Sequence, residues 1–110
     1  MKKENSPLIV SIACPNEDSA NRIAKALVEH KLIACAQLFP IQSIYRWEGT
    51  VQSASEVLLQ AKTMSDQLPE VEALVTQLHE YEVPELIATS IEWGLAAYLD
   101  WMWEVTGERR

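Results

Sequence analysis

Positive charge is scarce in this sequence: nine Lys and Arg stand against sixteen Asp and Glu, a formal net charge of −7 over 110 residues. A nucleic-acid binder needs a basic face to neutralise phosphates, and a membrane-surface protein needs one to meet anionic headgroups. The balance argues against both. No run of about 18 apolar residues is present, which argues against a transmembrane helix. Behind Lys2 and Lys3 there is no apolar stretch of the signal-peptide kind, so the expected location is the cytoplasm. Cysteine is limited to Cys14 and Cys35, neither in a CxxC pair. In a cytosolic chain that implies no disulfide, and the surroundings of both suit a small buried hydrophobe. Glycine numbers three. None falls in Cys14-Pro15-Asn16-Glu17-Asp18, where a phosphate-cradling hydrolase would want one beside an Arg. An RNA-binding string of sheet-face aromatics is also missing, as are solenoid repeats and low-complexity tracts.

What the chain does have is strand-forming sequence in an unusually long block. Ile33 to Lys62 reads as a β-hairpin turning at Glu48-Gly49. In its second arm Val51, Val57, Leu59 and Ala61 share one phase, and Gln52, Glu56, Gln60 and Lys62 the other. Each arm spans about 13–15 residues, roughly 45–50 Å, against a usual strand of about 5–6 residues. Pro40 cannot donate to a ladder, so a bend is expected there, dividing the arm into Ile33–Phe39 and Ile41–Trp47.

The remaining elements are shorter. Leu8–Cys14 reads as a buried strand. Asn16 is the expected N-cap of a helix reaching about His30, with Ala20, Ile23, Ala24, Leu27 and Val28 at helical spacing. A second helix is expected from a Ser65 or Asp66 cap to about His79, with Leu68, Val71, Leu74, Val75 and Leu78 facing inward. Tyr81–Glu85 is a non-helical connector, because Pro84 disfavours the helical region for Val83. Leu86–Ile91 reads as a strand. Leu95, Tyr98, Leu99 and Met102 mark a last helix, with one of Trp101 and Trp103 expected in the core and the other at an interface. The order is β-α-β-β-α-β-α. It predicts a single domain over residues 1–110, an α+β ferredoxin-like sandwich plus a C-terminal helix, with flexible tails at 1–6 and 107–110.

A first helix of about fifteen residues covers only about 22 Å. The far half of the hairpin, with Ile41, Ile44, Tyr45, Trp47 and Val51, therefore overhangs its own core. An exposed apolar edge of that size predicts a homo-oligomer.

Several strings resemble the CutA family of divalent-cation tolerance proteins. They are Ala34-Cys35-Ala36 with Pro40, Ser43-Ile44-Tyr45-Arg46-Trp47-Glu48-Gly49, Glu56–Thr63, His79–Glu85, and Tyr98-Leu99-Asp100-Trp101. The resemblance spans about residues 8–103. It implies a trimer similar to the PII signalling proteins, no enzymatic reaction, and a link to tolerance of copper or another divalent cation. His79 falls at the family's His and is the candidate metal ligand, with a structural C-terminal His as the alternative. Glu80 stands where the family usually has Pro, Leu78 where some members carry a second His, and Ile12 where some carry a Cys. Tyr45, Trp47, Glu56, Lys62 and Glu85 match family positions and are expected to line an intersubunit cleft. Lys62 would there serve a small anionic or amphipathic effector. The alternatives for these five are trimer packing, an interface salt bridge, and capping beside Pro84. Glu56 and Lys62, about 20 Å apart on one strand, cannot pair within one subunit. A PII-like signalling protein or a structural scaffold without direct metal binding is the competing reading.

Overall fold

The computed structural model describes residues 5–107. The elements run β1 (Pro7–Cys14), α1 (Glu17–Glu29), β2 (Cys35–Trp47), β3 (Thr50–Met64), a 3-10 turn (Ser65–Gln67), α2 (Leu68–Leu78), β4 (Leu86–Ser90) and α3 (Ala96–Val105). All four strands pair antiparallel in the order β2-β3-β1-β4, the ferredoxin-like arrangement expected from the element order.

Each element has a local cause. Asn16 caps α1, its side chain accepting from the Ser19 amide at 2.8 Å, and Glu17 and Asp18 occupy the first turn. The helix stops in a Schellman arrangement: Lys31 takes φ +60, its amide reaches Val28, and the Leu32 amide reaches Leu27. Val10 and Ile12 of β1, with Leu59 and Ala61 of β3, point to the same side and bury against Ile23 and Leu27 of α1 and Val71 and Val75 of α2. A smaller cluster seats Met102 of α3 on Ala34 and Met64.

The hairpin closes in two residues, Glu48 (φ +52) and Gly49 (φ +84), the two positive angles of a type I′ turn. Its register never shifts, from Cys35 opposite Lys62 to Trp47 opposite Thr50. The expected division at Pro40 is therefore absent. Pro40 pairs with Val57 in an unbroken ladder, and β2 is the sheet's outer strand, where a missing donor is tolerated. The strand also begins at Cys35 rather than Ile33.

Three further expectations change. Neither Ser65 nor Asp66 caps α2; their backbone amides meet Ser6 and Asn5 instead, at 2.7 and 2.9 Å. Asn5, Ser6 and Gly107 (bonded to the Lys31 carbonyl) are thus tied down, while residues 1–4 and 108–110 of the expected tails lie outside the described residues. Trp101 and Trp103 are both exposed, because the face of α3 turned to the sheet carries Met102.

β1 ends at Cys14, opposite Val57. Beyond that point the seven pairs from Ile41–Glu56 to Trp47–Thr50 have no third strand beside them, an overhang of about 23 Å. Ile44 is 74% exposed and Val51 66%.

Candidate functional site

The overhang begins where the 79–85 loop, between α2 and β4, reaches the hairpin. Three successive loop residues are fastened to three different elements. His79 is buried, its Nε2 lies 2.8 Å from the Ala13 carbonyl, and its Nδ1 accepts from the Tyr81 amide at 3.0 Å. A nitrogen that accepts an amide proton carries none itself, so Nε2 holds the proton and donates to β1. Glu80 accepts from the Ser19 hydroxyl at 2.6 Å and faces the Arg22 guanidinium of α1 at 3.6 Å. Arg22 also donates to the Leu78 carbonyl. Tyr81 packs its ring 5.0 Å from the His79 ring and donates its hydroxyl to Glu56 Oε2 of β3 at 2.7 Å. Burial, then the bond to Glu56, raises the Tyr81 pKa above its usual range, so the phenol stays a donor at neutral pH.

Between this loop and the hairpin lies an open cleft of about 620 Å³. Its walls include Tyr45, Trp47 and Tyr81; its carboxylates are Glu56, Glu80, Glu82 and Glu85. Among the described residues no Lys or Arg lines it. Glu80 is offset by Arg22, whereas Glu56, Glu82 and Glu85 form no ion pair among the described residues. Glu56 is the most enclosed of the four, only 8% exposed.

Of the residues singled out in the sequence, Tyr45, Trp47, Glu56 and Glu85 meet in this cleft. Within this subunit Lys62 does not: it lies on the same phase of β3 as Glu56 but opposite Cys35 and Ile9, beside α3, and donates to Gln37. As one subunit presents it, the cleft has four carboxylates and, among the described residues, no cationic side chain in its lining, a charge that favours a cation over an anion. His79 lies behind the wall rather than in it, with both ring nitrogens committed to backbone. A metal on His79 would have to replace one of those bonds.

Cys14 offers no alternative. Burial first, then the charges of Glu80 and Glu56, push its thiol up to about 11, and a metal ligand must be a thiolate. Among the described residues no group of three or more His, Cys, Asp or Glu is arranged to hold a metal ion. Sequence reasoning missed Ser19, Arg22, Glu80, Tyr81 and Glu82 as parts of the site. The one available signal was the run of acids around an aromatic in a non-helical connector.

The family model described as CutA1 divalent ion tolerance protein matches residues 8–105. A divalent-cation tolerance protein CutA of Thermus thermophilus is 46% identical over 100 residues, covering 90% of this chain and 97% of that one. The protein CutA of Mus musculus is 46% identical over 96 residues, 86% of this chain; the chain spans about half of that longer relative, 54%. A solved structure, the periplasmic divalent cation tolerance protein CutA from Archaeoglobus fulgidus, superposes with a TM-score of 0.89 at 40% identity, over 90% of this chain and 97% of that one. No helix of the described residues is long and apolar enough to cross a membrane.

Proposed function

Since this chain belongs to the CutA1 family of divalent ion tolerance proteins, we propose that it serves divalent-cation tolerance, copper included, as a cytoplasmic homotrimer that binds cations weakly in the cleft beside the hairpin overhang. It acts as a binding protein with no reaction of its own. The observation that carries this reading is Glu56: an enclosed carboxylate lining a cavity with no cationic side chain among the described residues. An enclosed charge without a countercharge is costly, and an incoming cation relieves that cost. Weak binding follows because the carboxylates do not form a closed coordination set. Self-association draws support from Ile44 and Val51, exposed on the face of the overhang opposite Tyr45 and Trp47, which an assembly would cover. The number three comes from the family resemblance.

The lack of a preformed ligand set also favours a second reading, a signalling or scaffold trimer in which tolerance is indirect. Native mass spectrometry with and without Cu²⁺ separates the two. The first reading expects a trimer that gains copper, with the gain lost in Glu56→Gln and retained in Lys62→Ala. A trimer that gains no specific mass sinks direct binding and leaves the second.

A further inference from the structure

The cleft is built for something larger and less polar than a bare ion. A metal ion is held by several donors converging at about 2.0–2.6 Å, and here no such group exists among the described residues. A volume of about 620 Å³ with aromatic walls is instead the scale of an organic ligand. Two features then define its chemistry. The first is Glu56. Its Oε2 accepts from the Tyr81 hydroxyl, while Oε1 has no hydrogen-bond donor among the described residues. Every fully buried side-chain polar atom among the described residues has a partner, so Oε1 keeps its access to the cleft. The second is the pairing of carboxylates with exposed π-faces. Trp47 is 50% exposed beside Tyr45, and Glu82 and Glu85 are exposed around the mouth. Aromatic faces attract alkylated cations and cover their methylenes, while carboxylates accept from the ammonium protons.

We propose that the cleft takes an aliphatic ammonium ligand, a diamine or polyamine, with one ammonium on Glu56, the methylene chain along Trp47 and Tyr45, and a second ammonium at Glu82 and Glu85. This rests on the reading of the cleft as the cation site, and narrows it from metal to amine. Metal ions then compete for the same carboxylates without being the ligand that the walls fit. Tyr81 is a positioning residue: its bond to Oε2 turns Oε1 toward the ligand.

The test titrates the full chain with 1,4-diaminobutane by calorimetry, with Cu²⁺ in a parallel arm. Saturable binding at one diamine per chain is expected. Glu56→Gln should weaken it about tenfold or more, and Trp47→Leu about threefold. Glu29→Gln, the same charge change on the far end of α1, should leave it unchanged. Far-UV circular dichroism checks that the Glu56 variant is folded; if it is not, Glu85→Gln on the exposed rim stands in, with a loss of about threefold expected. Equal losses in Glu56→Gln and Glu29→Gln would reduce the effect to general attraction by an acidic chain and overturn the proposal. Copper binding that depends on Glu56, with no diamine binding, overturns the amine and keeps the cleft as a metal site. Binding of neither probe overturns both.

Discussion

The hairpin holds two regions that differ in surroundings and in little else. The near half, Cys35–Pro40 against Val57–Lys62, and the far half, Ile41–Trp47 against Thr50–Glu56, share one ladder, one register and the same strand-forming residue types. In the near half, β1 continues the sheet and two helices cover a face, so Leu59 and Ala61 are fully buried. In the far half no third strand adjoins β3, whose Glu56 meets only the 79–85 loop through Tyr81, and Val51, on the same phase as Leu59, stays exposed. Alternation along a strand thus says which residues share a side; it does not say whether that side is a core or a surface for something else. The boundary between the halves, at Glu56 and Val57, is also where the cleft opens.

The strongest way to break this comparison is to place a charge on the far half. Val51→Asp is expected to abolish the proposed self-association, leaving a folded monomer in sedimentation, because in that assembly the burial it would prevent is between chains. The matching change in the near half acts on the fold itself. Leu59→Ala should cost about 2–5 kcal/mol in denaturant unfolding, by lost transfer energy and a residual cavity. Val51→Ala should cost about 0.5 kcal/mol or less in a subunit kept monomeric. Similar costs for the two alanine variants in such a monomer would mean that the overhang folds back onto its own subunit.

Much of this division was legible in residues and some of it was not. The period-two pattern from Val51 to Ala61, the Glu48-Gly49 turn and the Asn16 cap are local signals, and the structure carries all three. Pro40 misled because the rule about proline in strands depends on where the strand lies in the sheet, and edge position is a global property. The site was only half legible for the same reason. Tyr45, Trp47, Glu56 and Glu85 were singled out by family position and line one cleft, yet the bonds that shape it join residues 61 positions apart (Ser19–Glu80) and 25 apart (Tyr81–Glu56). No periodicity encodes those meetings. Lys62 was singled out by its family position, and within one subunit it pairs with Ile9 and Cys35, outside the cleft lining.

The cleft's negative field reaches into the near half through Cys14, which makes pH a further test. Its thiol titrates near 11 in the folded chain against an ordinary value of 9.0, raised mainly by burial and then by Glu80 and Glu56. Folding therefore favours the protonated thiol. That stability is fully present below about pH 9 and falls as pH rises toward 11, by on the order of 2 kcal/mol. Denaturation midpoints taken from pH 8 to 11 should show the decline, and Cys14→Ala should flatten it. Glu80→Gln should lessen it only slightly, since burial is the larger cause. An undiminished slope in Cys14→Ala would assign the alkaline loss to the tyrosines instead.

The smallest expected effect lies at the tip. Gly49 holds φ +84, and a Cβ added there meets nothing within 4 Å, so any cost of Gly49→Ala is backbone strain alone. Ala at a positive φ costs about 1 kcal/mol. In the near half such a cost would fall on the whole fold, because the strands there are tied to β1 and the helices. At the tip the ladder can fray by one or two pairs and escape most of it. Thermal unfolding of a monomeric Val51→Asp background should therefore hardly register Gly49→Ala. In the proposed assembly, which would hold the hairpin tips, the full loss should show. Equal shifts in both would place the tip in the same cooperative unit as the core and erase the distinction between the two halves.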